Sequence, residues 1–379
     1  MDNTRKLLSF RMPVFIHDIA TSVPPFFSDQ QHIREVMKKH IGTDRKSEAI
    51  IHRIYTQSGI EKRHSVVQDF EPNKYGQLFF NGQVKSDPGT AARNKVYEKE
   101  SKKLFVDVAR KLLADNPHIS SNEITHVITV SCTGFYAPGP DYEIVKALKL
   151  KPSTERFHVG FMGCYAAFPA MKMAKSFCIS DPDAVVLVVS AELCTLHFQF
   201  KNDVDNLLSG SVFADGAGGM IVSSKQPKKQ AFEISKFASS LAPKGEKDMA
   251  WTIGDSGFDM ILSTYVPDII QENLETVIKP LYHEYGITND DINHWALHPG
   301  GRSILDKIES NLELKPNQIS ASREVLAEYG NMSSATILFV LKKLMQSDLQ
   351  PEQRILSMAF GPGLTIESGL FSVHHPQSL

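Results

Sequence analysis

Apolar positions along the chain fall into short β-branched runs, each closed by a polar or glycine-rich stop and followed by a stretch of helical character. Residues 184–189 are unbroken and mostly valine, which predicts a strand buried on both faces. Residues 125–130 read the same way and stop at Ser131-Cys132-Thr133-Gly134. Residues 293–297 predict a shorter strand that stops at His298-Pro299-Gly300-Gly301, and residues 354–360 predict another. Two apolar helices lie between these runs. The first opens at Gly163-Cys164 and runs to about Phe177. Ala166, Ala167, Ala170 and Ala174 leave room for close backbone approach, and only Lys172 and Lys175 are charged. A helix that is apolar nearly all round is a buried one. Pro169 fits it only in the first turn or at a kink. The second helix opens at Gly330-Asn331 and runs to about Leu344.

This alternation repeats. Ser131 to Cys164 spans 33 positions, and so does His298 to Asn331; Cys164 to Ser190 spans 26, and so does Asn331 to Ser357. A single offset of 167 maps every node of the first set onto the second, which marks a duplicated unit. Glycine-rich segments close both units as hairpin signals: Asp215-Gly216-Ala217-Gly218-Gly219 ahead of Met220, and Gly361-Pro362-Gly363 ahead of Leu364. The polar stretch 223–230 predicts a linker, dividing the chain into a half over residues 1–224 and a half over residues 231–379. The expected class is α/β, with two βαβ-type halves packed face to face and buried helices between their sheets.

A pseudo-twofold between the halves places Cys164 and Asn331 at equivalent helix N-termini, with His298 at a strand end nearby. Singly, each has a plain reading: a small buried hydrophobe, a helix cap, one of 14 histidines. Together they suggest a nucleophilic thiol in the first half and its polar partners in the second. A free cysteine is only a few per cent ionised at pH 7, and a helix N-terminus with an adjacent imidazolium would lower its pKa toward about 6.

Four motifs then carry a resemblance: Gly163-Cys164-Tyr165-Ala166-Ala167, His298-Pro299-Gly300-Gly301, Gly330-Asn331-Met332-Ser333-Ser334 and Phe360-Gly361-Pro362-Gly363-Leu364-Thr365. In this order and spacing they resemble the signatures of type III polyketide synthases, the chalcone- and stilbene-synthase-like members of the thiolase superfamily. The resemblance covers nearly the whole chain. It implies thiolase-like duplicated βαβαβαββ halves in a layered αβαβα sandwich, and a homodimer whose subunits meet near Tyr136-Ala137-Pro138. It implies that Cys164 takes an acyl starter from coenzyme A as a thioester. Malonyl-CoA then loses CO2, and His298 and Asn331 stabilise the enolate oxygen. Phe213 and Phe258 match the family's gatekeepers, and Ser333 and Gly363 fall in its substrate pocket. Coenzyme A thioesters are the substrates, and no separate cofactor is implied. Arg53 matches one basic residue at the coenzyme A tunnel mouth, while Ile50 and Gln57 stand at the other two. Either Lys62 or Arg63 supplies the missing charge, or an acyl carrier protein delivers the starter.

Departures from the plant pattern bear on the starter. Cys194 and His197 stand where plant chalcone synthases carry threonines. Ala137 stands where the family often has a methionine reaching across the dimer, and Cys132 is another small wall residue. Met249 falls where plant enzymes have a glycine, which narrows the elongation side. The expectation is an aliphatic starter of medium or long chain, few extensions, and alkylpyrone or alkylresorcinol-type products. Rival readings are a single-step β-ketoacyl-ACP synthase, a Cys-His-Asn hydrolase in which water attacks the acyl-enzyme, and a non-catalytic acyl-binding protein.

Composition narrows the setting. The net charge of −2 argues against a nucleic-acid partner, and no apolar run reaches the length of a membrane span. The adjacent His374 and His375 lack metal-ligand spacing, and no metal site is expected. The charged stretch Met1 to Met12 lacks the apolar core of a secretory signal, and four cysteines form no CxxC pair, so a reducing cytoplasm is expected.

Overall fold

The structure, a computed structural model, describes residues 12–71, 78–81, 84–242 and 245–376. Nine strands form one sheet in the order His294–Leu297, Arg354–Gly361, Thr365–His374, Ala231–Leu241, Phe15–Ser22, Asp215–Ser223, Val185–Leu193, His126–Ser131, Glu155–Gly160. The central seam is the antiparallel pairing of Phe15 with Glu233 and Ile16 with Phe232. Outward from it, both sides follow the same plan. Phe15–Ser22 pairs antiparallel with Asp215–Ser223, which pairs antiparallel with Val185–Leu193, which runs parallel to His126–Ser131. On the other side Ala231–Leu241, Thr365–His374, Arg354–Gly361 and His294–Leu297 repeat those relations. Glu155–Gly160 has no counterpart strand, because the stretch at the same offset lies in the helix Ser320–Tyr329.

Successive strand residues face different cores, as period-2 geometry requires. Val186 and Val188 join a central core, while Val185, Leu187 and Val189 join an outer one. The central core holds the helices Ala167–Ser180 and Thr336–Met345 together with strand residues from both sides of the seam. The long helix Thr90–Ala114 covers the first half on its outside, and Val266–Tyr285 and Arg302–Asn311 cover the second. The result is helix, one half of the sheet, central helices, the other half of the sheet, helix. Pro169 sits in the first turn of Ala167–Ser180, where its missing N–H breaks no intrahelical bond.

One expected turn is absent. Asp215-Gly216-Ala217-Gly218-Gly219 is wholly inside the buried strand Asp215–Ser223. Its glycines answer a packing need. A Cβ at Gly218 would stand 2.8 Å from Leu338 Cβ, and one at Gly219 would stand 2.7 Å from Val108 Cγ1. Helices press on this strand from both faces, so only glycine fits there. The second glycine-rich segment does turn, joining Arg354–Gly361 to Thr365–His374. Among the described residues no helix is long and apolar enough to cross a membrane.

Candidate active site

Two equivalent turns build the site. Gly163 and Gly330 have φ of 81° and 71°, in the left-handed region that favours glycine. Added Cβ atoms would meet Pro362 Cδ at 2.6 Å and Arg63 Cγ at 2.9 Å respectively. Each glycine turns the chain just before a central helix, presenting Cys164 in one half and Asn331 in the other. Asn331 is fixed along its backbone: its N–H donates to Val212 O at 2.8 Å, and its carbonyl accepts from Ala214 N–H at 2.9 Å. Its side-chain Oδ1 accepts from Ser333 N–H at 2.8 Å and its Nδ2 donates to Gly300 O at 3.1 Å. The Cys164 thiol lies within hydrogen-bonding reach of the Asn331 and Ser333 side chains, and Ser333 Oγ is 3.5 Å from Cys132 Sγ.

His298 ends the strand His294–Leu297 with its backbone N–H on Met358 O at 2.8 Å. Its ring is 1% exposed, yet neither ring nitrogen has a hydrogen-bond partner among the described residues. Buried polar groups left unpaired cost about 1–3 kcal/mol each, so they persist where a function requires them.

Cys164, His298 and Asn331 line a single pocket of about 580 Å³, almost wholly apolar, together with Cys132, Cys194, Phe213, Met249 and Ser333. A second chamber of about 730 Å³ adjoins it, and Cys194, Phe213, Trp251 and Met260 belong to both walls. His197 and Phe258 line this second chamber and not the Cys164 pocket. Ala137, Gly363 and Arg53 line neither. Ala137 is exposed, Gly363 lies in the hairpin turn beside the pocket residue Pro362, and Arg53 is exposed with Nε on Gln57 Oε1 at 3.3 Å. Arg63 is buried, donating to Gln30 Oε1 at 3.0 Å and Phe213 O at 2.6 Å, so it is no free cation for phosphates.

Comparison with known proteins agrees with this arrangement. The model for the N-terminal domain of chalcone and stilbene synthases matches residues 2–226, and the model for their C-terminal domain matches residues 233–374. The chain belongs to the chalcone and stilbene synthase family. It is thus a type III polyketide synthase with the thiolase-like fold, and an acyl-transferring enzyme. Solved relatives include PKS-I from the brown alga Ectocarpus siliculosus, at 28% identity and a TM-score of 0.87, covering 95% of this chain and 98% of that one. The C-terminal type III polyketide synthase domain of Steely1 from Dictyostelium is similar at 27% identity and a TM-score of 0.87, covering 95% and 99%. The 1,3,6,8-tetrahydroxynaphthalene synthase of Streptomyces coelicolor is similar at 27% and 0.84, covering 96% and 100%.

The electrostatics of this synthase site correct one expectation. Burial pushes the Cys164 thiol up to about 12, against the hydrogen bonds from Ser333 and Asn331, and burial pushes His298 down to about 3. Cys164 also stands three residues before its helix begins at Ala167, which weakens the expected helix-terminus effect. Each charge taken alone is penalised in so apolar a pocket. A proton passed from the thiol to His298 would leave the pocket net neutral.

Sequence reasoning passed over two side chains that hold this site. Glu192 is fully buried beneath it and accepts from Cys132 N–H at 2.9 Å, Thr133 Oγ1 at 2.9 Å and Ser334 Oγ. It ties the Cys132 loop of one half to the Asn331 loop of the other, and burial pushes its pKa up. The signal was a lone carboxylate at the end of an apolar strand. Trp251 donates its Nε1–H to Cys132 O at 3.0 Å and walls both chambers.

Proposed function

We propose that this synthase loads an aliphatic acyl group from coenzyme A onto Cys164, extends it with malonyl-CoA, and cyclises the chain to alkylpyrone or alkylresorcinol-type products. The observation that carries the chemistry is the buried imidazole of His298, unpartnered among the described residues, in the pocket of Cys164. In the loading step the Cys164 thiol gives its proton to His298 as sulfur attacks the thioester carbonyl. The C–S bond to coenzyme A breaks, and the departing thiolate takes that proton back. In the extension step malonyl-CoA loses CO2 and the C–C electron pair moves onto the thioester as an enolate. The neutral His298 ring and the second Asn331 amide hydrogen donate to its oxygen. The enolate carbon attacks the Cys164 acyl thioester, the new C–C bond forms, and the cysteine sulfur leaves. No resident cofactor is needed, because decarboxylation itself supplies the carbanion.

The apolar lining favours neutral CO2 over the malonyl carboxylate. Cys132 and Cys194 are small, and the adjoining chamber gives the far end of an acyl chain somewhere to lie, which supports an aliphatic starter. Arg53 is our candidate for contact with the coenzyme A phosphates, with an acyl carrier protein as the alternative donor. Phe135 and Tyr142 flank Ala137 in the chain, Phe161 packs on Phe135 with ring centroids 5.6 Å apart, and all three are exposed, at 39%, 40% and 37%, which supports a homodimer across this face. A reducing cytoplasm suits the free thiol. The test is product analysis over a ladder of acyl-CoA lengths with labelled malonyl-CoA. Aliphatic starters should turn over best and give cyclised products; faster turnover of aromatic starters would overturn the aliphatic reading, and a single uncyclised condensation would favour a ketoacyl synthase.

A further inference from the structure

The helix Arg45–Gln57 carries Arg45, Lys46, His52 and Arg53 against one carboxylate, Glu48. At about 3.6 residues per turn these four fall with Ala49, Thr56 and Gln57 on one face, and all of them are exposed. The nearby carboxylates point elsewhere. Asp44 caps the helix, accepting from Ser47 N–H at 2.7 Å, and Glu48 lies against Gly42, where an added Cβ would stand 2.8 Å from Glu48 Cγ. Among the described residues the hydrogen-bond partner of the Arg53 side chain is the neutral Gln57. Two further arginines extend the charge past the end of the helix. Arg34, on the helix Gln30–Ile41, donates Nη1 to Thr56 Oγ1 at 3.0 Å while its Nε meets Glu35 at 2.8 Å. Arg302 opens the helix Arg302–Asn311 with its stem against Gly59, where an added Cβ would stand 3.3 Å from Arg302 Cβ. The Arg302 side chain is 55% exposed, and its neighbour Asp306, at 3.4 Å, is shared with Arg323 at 2.8 Å. Gly300 and Ile304, on either side of Arg302 in the chain, line the Cys164 pocket. A basic stripe thus runs the length of one helix and ends at the rim of the pocket, in a chain whose net charge is −2.

We propose that this stripe docks an acidic carrier protein, which presents the acyl starter on a phosphopantetheine arm as a second donor beside coenzyme A. Length decides between a protein and a nucleotide. Thirteen residues of helix extend about 20 Å, farther than the phosphates of one nucleotide spread. Arg53 and Arg302, toward the rim, suit the phosphate that such an arm shares with coenzyme A. Arg45 and Lys46, at the far end, are left for carboxylates that a protein surface supplies. Opposite charge along the two surfaces steers docking and raises the association rate. Transfer then follows the loading chemistry. Cys164 sulfur attacks the thioester carbonyl, the C–S bond to the phosphopantetheine breaks, and its sulfur departs as a thiol with the proton that Cys164 gave up. The transfer rests on the reading of Cys164 as the acyl-loading nucleophile; the docking does not.

Arg45→Glu combined with Lys46→Glu reverses two exposed charges at the end of the stripe away from the pocket. The probe is a small acidic bacterial acyl carrier protein bearing octanoyl-phosphopantetheine, with octanoyl-CoA as the second arm. Binding of the fluorescently labelled carrier, read by anisotropy, should weaken about tenfold in the double variant, chiefly through slower association. In the parent it should weaken by at least as much when salt rises from about 0.05 M to about 0.5 M. kcat/KM for the octanoyl carrier should fall with the affinity, while kcat/KM for octanoyl-CoA stays within about twofold. Arg45→Gln combined with Lys46→Gln removes the charges without reversing them and should lose about threefold with the carrier alone. Absence of carrier binding to the parent at low salt would overturn the docking. Equal losses with the carrier and with octanoyl-CoA would also overturn it and assign the stripe to the nucleotide. A parent that binds the carrier but takes no acyl group onto Cys164 from either donor, read by intact mass, would instead defeat the proposed function and leave the docking standing.

Discussion

At the end of its strand the first half of the molecule carries Ser131, and the second half carries His298 at the same offset. Ser131 accepts from Tyr97 OH at 2.7 Å and reaches Glu192 at 3.3 Å, so its hydroxyl is used up inside the protein. His298 is as deeply buried, and its ring nitrogens bond to nothing among the described residues. The neighbouring pair diverges in the same way. Gly163 and Gly330 make the same turn, but one presents a thiol and the other an amide. A shared backbone thus delivers chemically different side chains to one pocket. The difference teaches that symmetry supplies the geometry and unpaired side-chain atoms supply the chemistry.

Substitutions on the two sides should break this comparison unequally. Cys164→Ala should abolish acyl-enzyme formation, read by intact mass, while some malonyl-CoA decarboxylation persists, because the donors in the other half remain. Decarboxylation lost together with loading would contradict the division. Acidification gives a smaller effect with a definite sign. His298 titrates near 3 when folded against about 6.5 when unfolded. Between those values the unfolded chain binds a proton here that the folded chain does not. Its contribution is present above the unfolded value and lost as pH falls, at about 1.4 kcal/mol per pH unit. Urea midpoints of His298→Gln should therefore fall less steeply than those of the parent from about pH 6 downward; parallel curves would contradict the burial argument. Smallest of all, Ser131→Ala should cost about 1 kcal/mol of stability and leave catalysis within about twofold. A catalytic loss larger than that would show that the first half's strand end also takes part in chemistry.

Much of this was legible from spacing. Equal intervals between Ser131, Cys164 and Ser190 and between His298, Asn331 and Ser357 foretold the mirrored strand order, because duplicated backbones keep their lengths where cores are packed tightly. The glycine run at 215–219 misled, since a glycine needed for a close helix contact looks in sequence like one needed for a turn. The direction of the Cys164 shift was also hidden. A helix end can be read from a pattern, but the degree of burial that outweighs it depends on side chains arriving from Met249, Met260 and Phe360. Glu192 escaped for a related reason: a lone polar residue in an apolar run shows its partners only once strands from elsewhere are beside it. The trio itself was readable because each member follows a glycine or ends a strand in a recurrent motif.

The central claim, that the nucleophile and the enolate donors converge on one pocket with separate duties, is tested most directly in Asn331→Ala. Acyl loading of Cys164, measured by intact mass, and malonyl-CoA decarboxylation, measured as CO2 release, should be followed in the same preparation. Loss of one oxyanion donor should slow decarboxylation by about 10²–10³-fold and leave loading within about tenfold. Equal loss of both steps, with the fold intact, would contradict it.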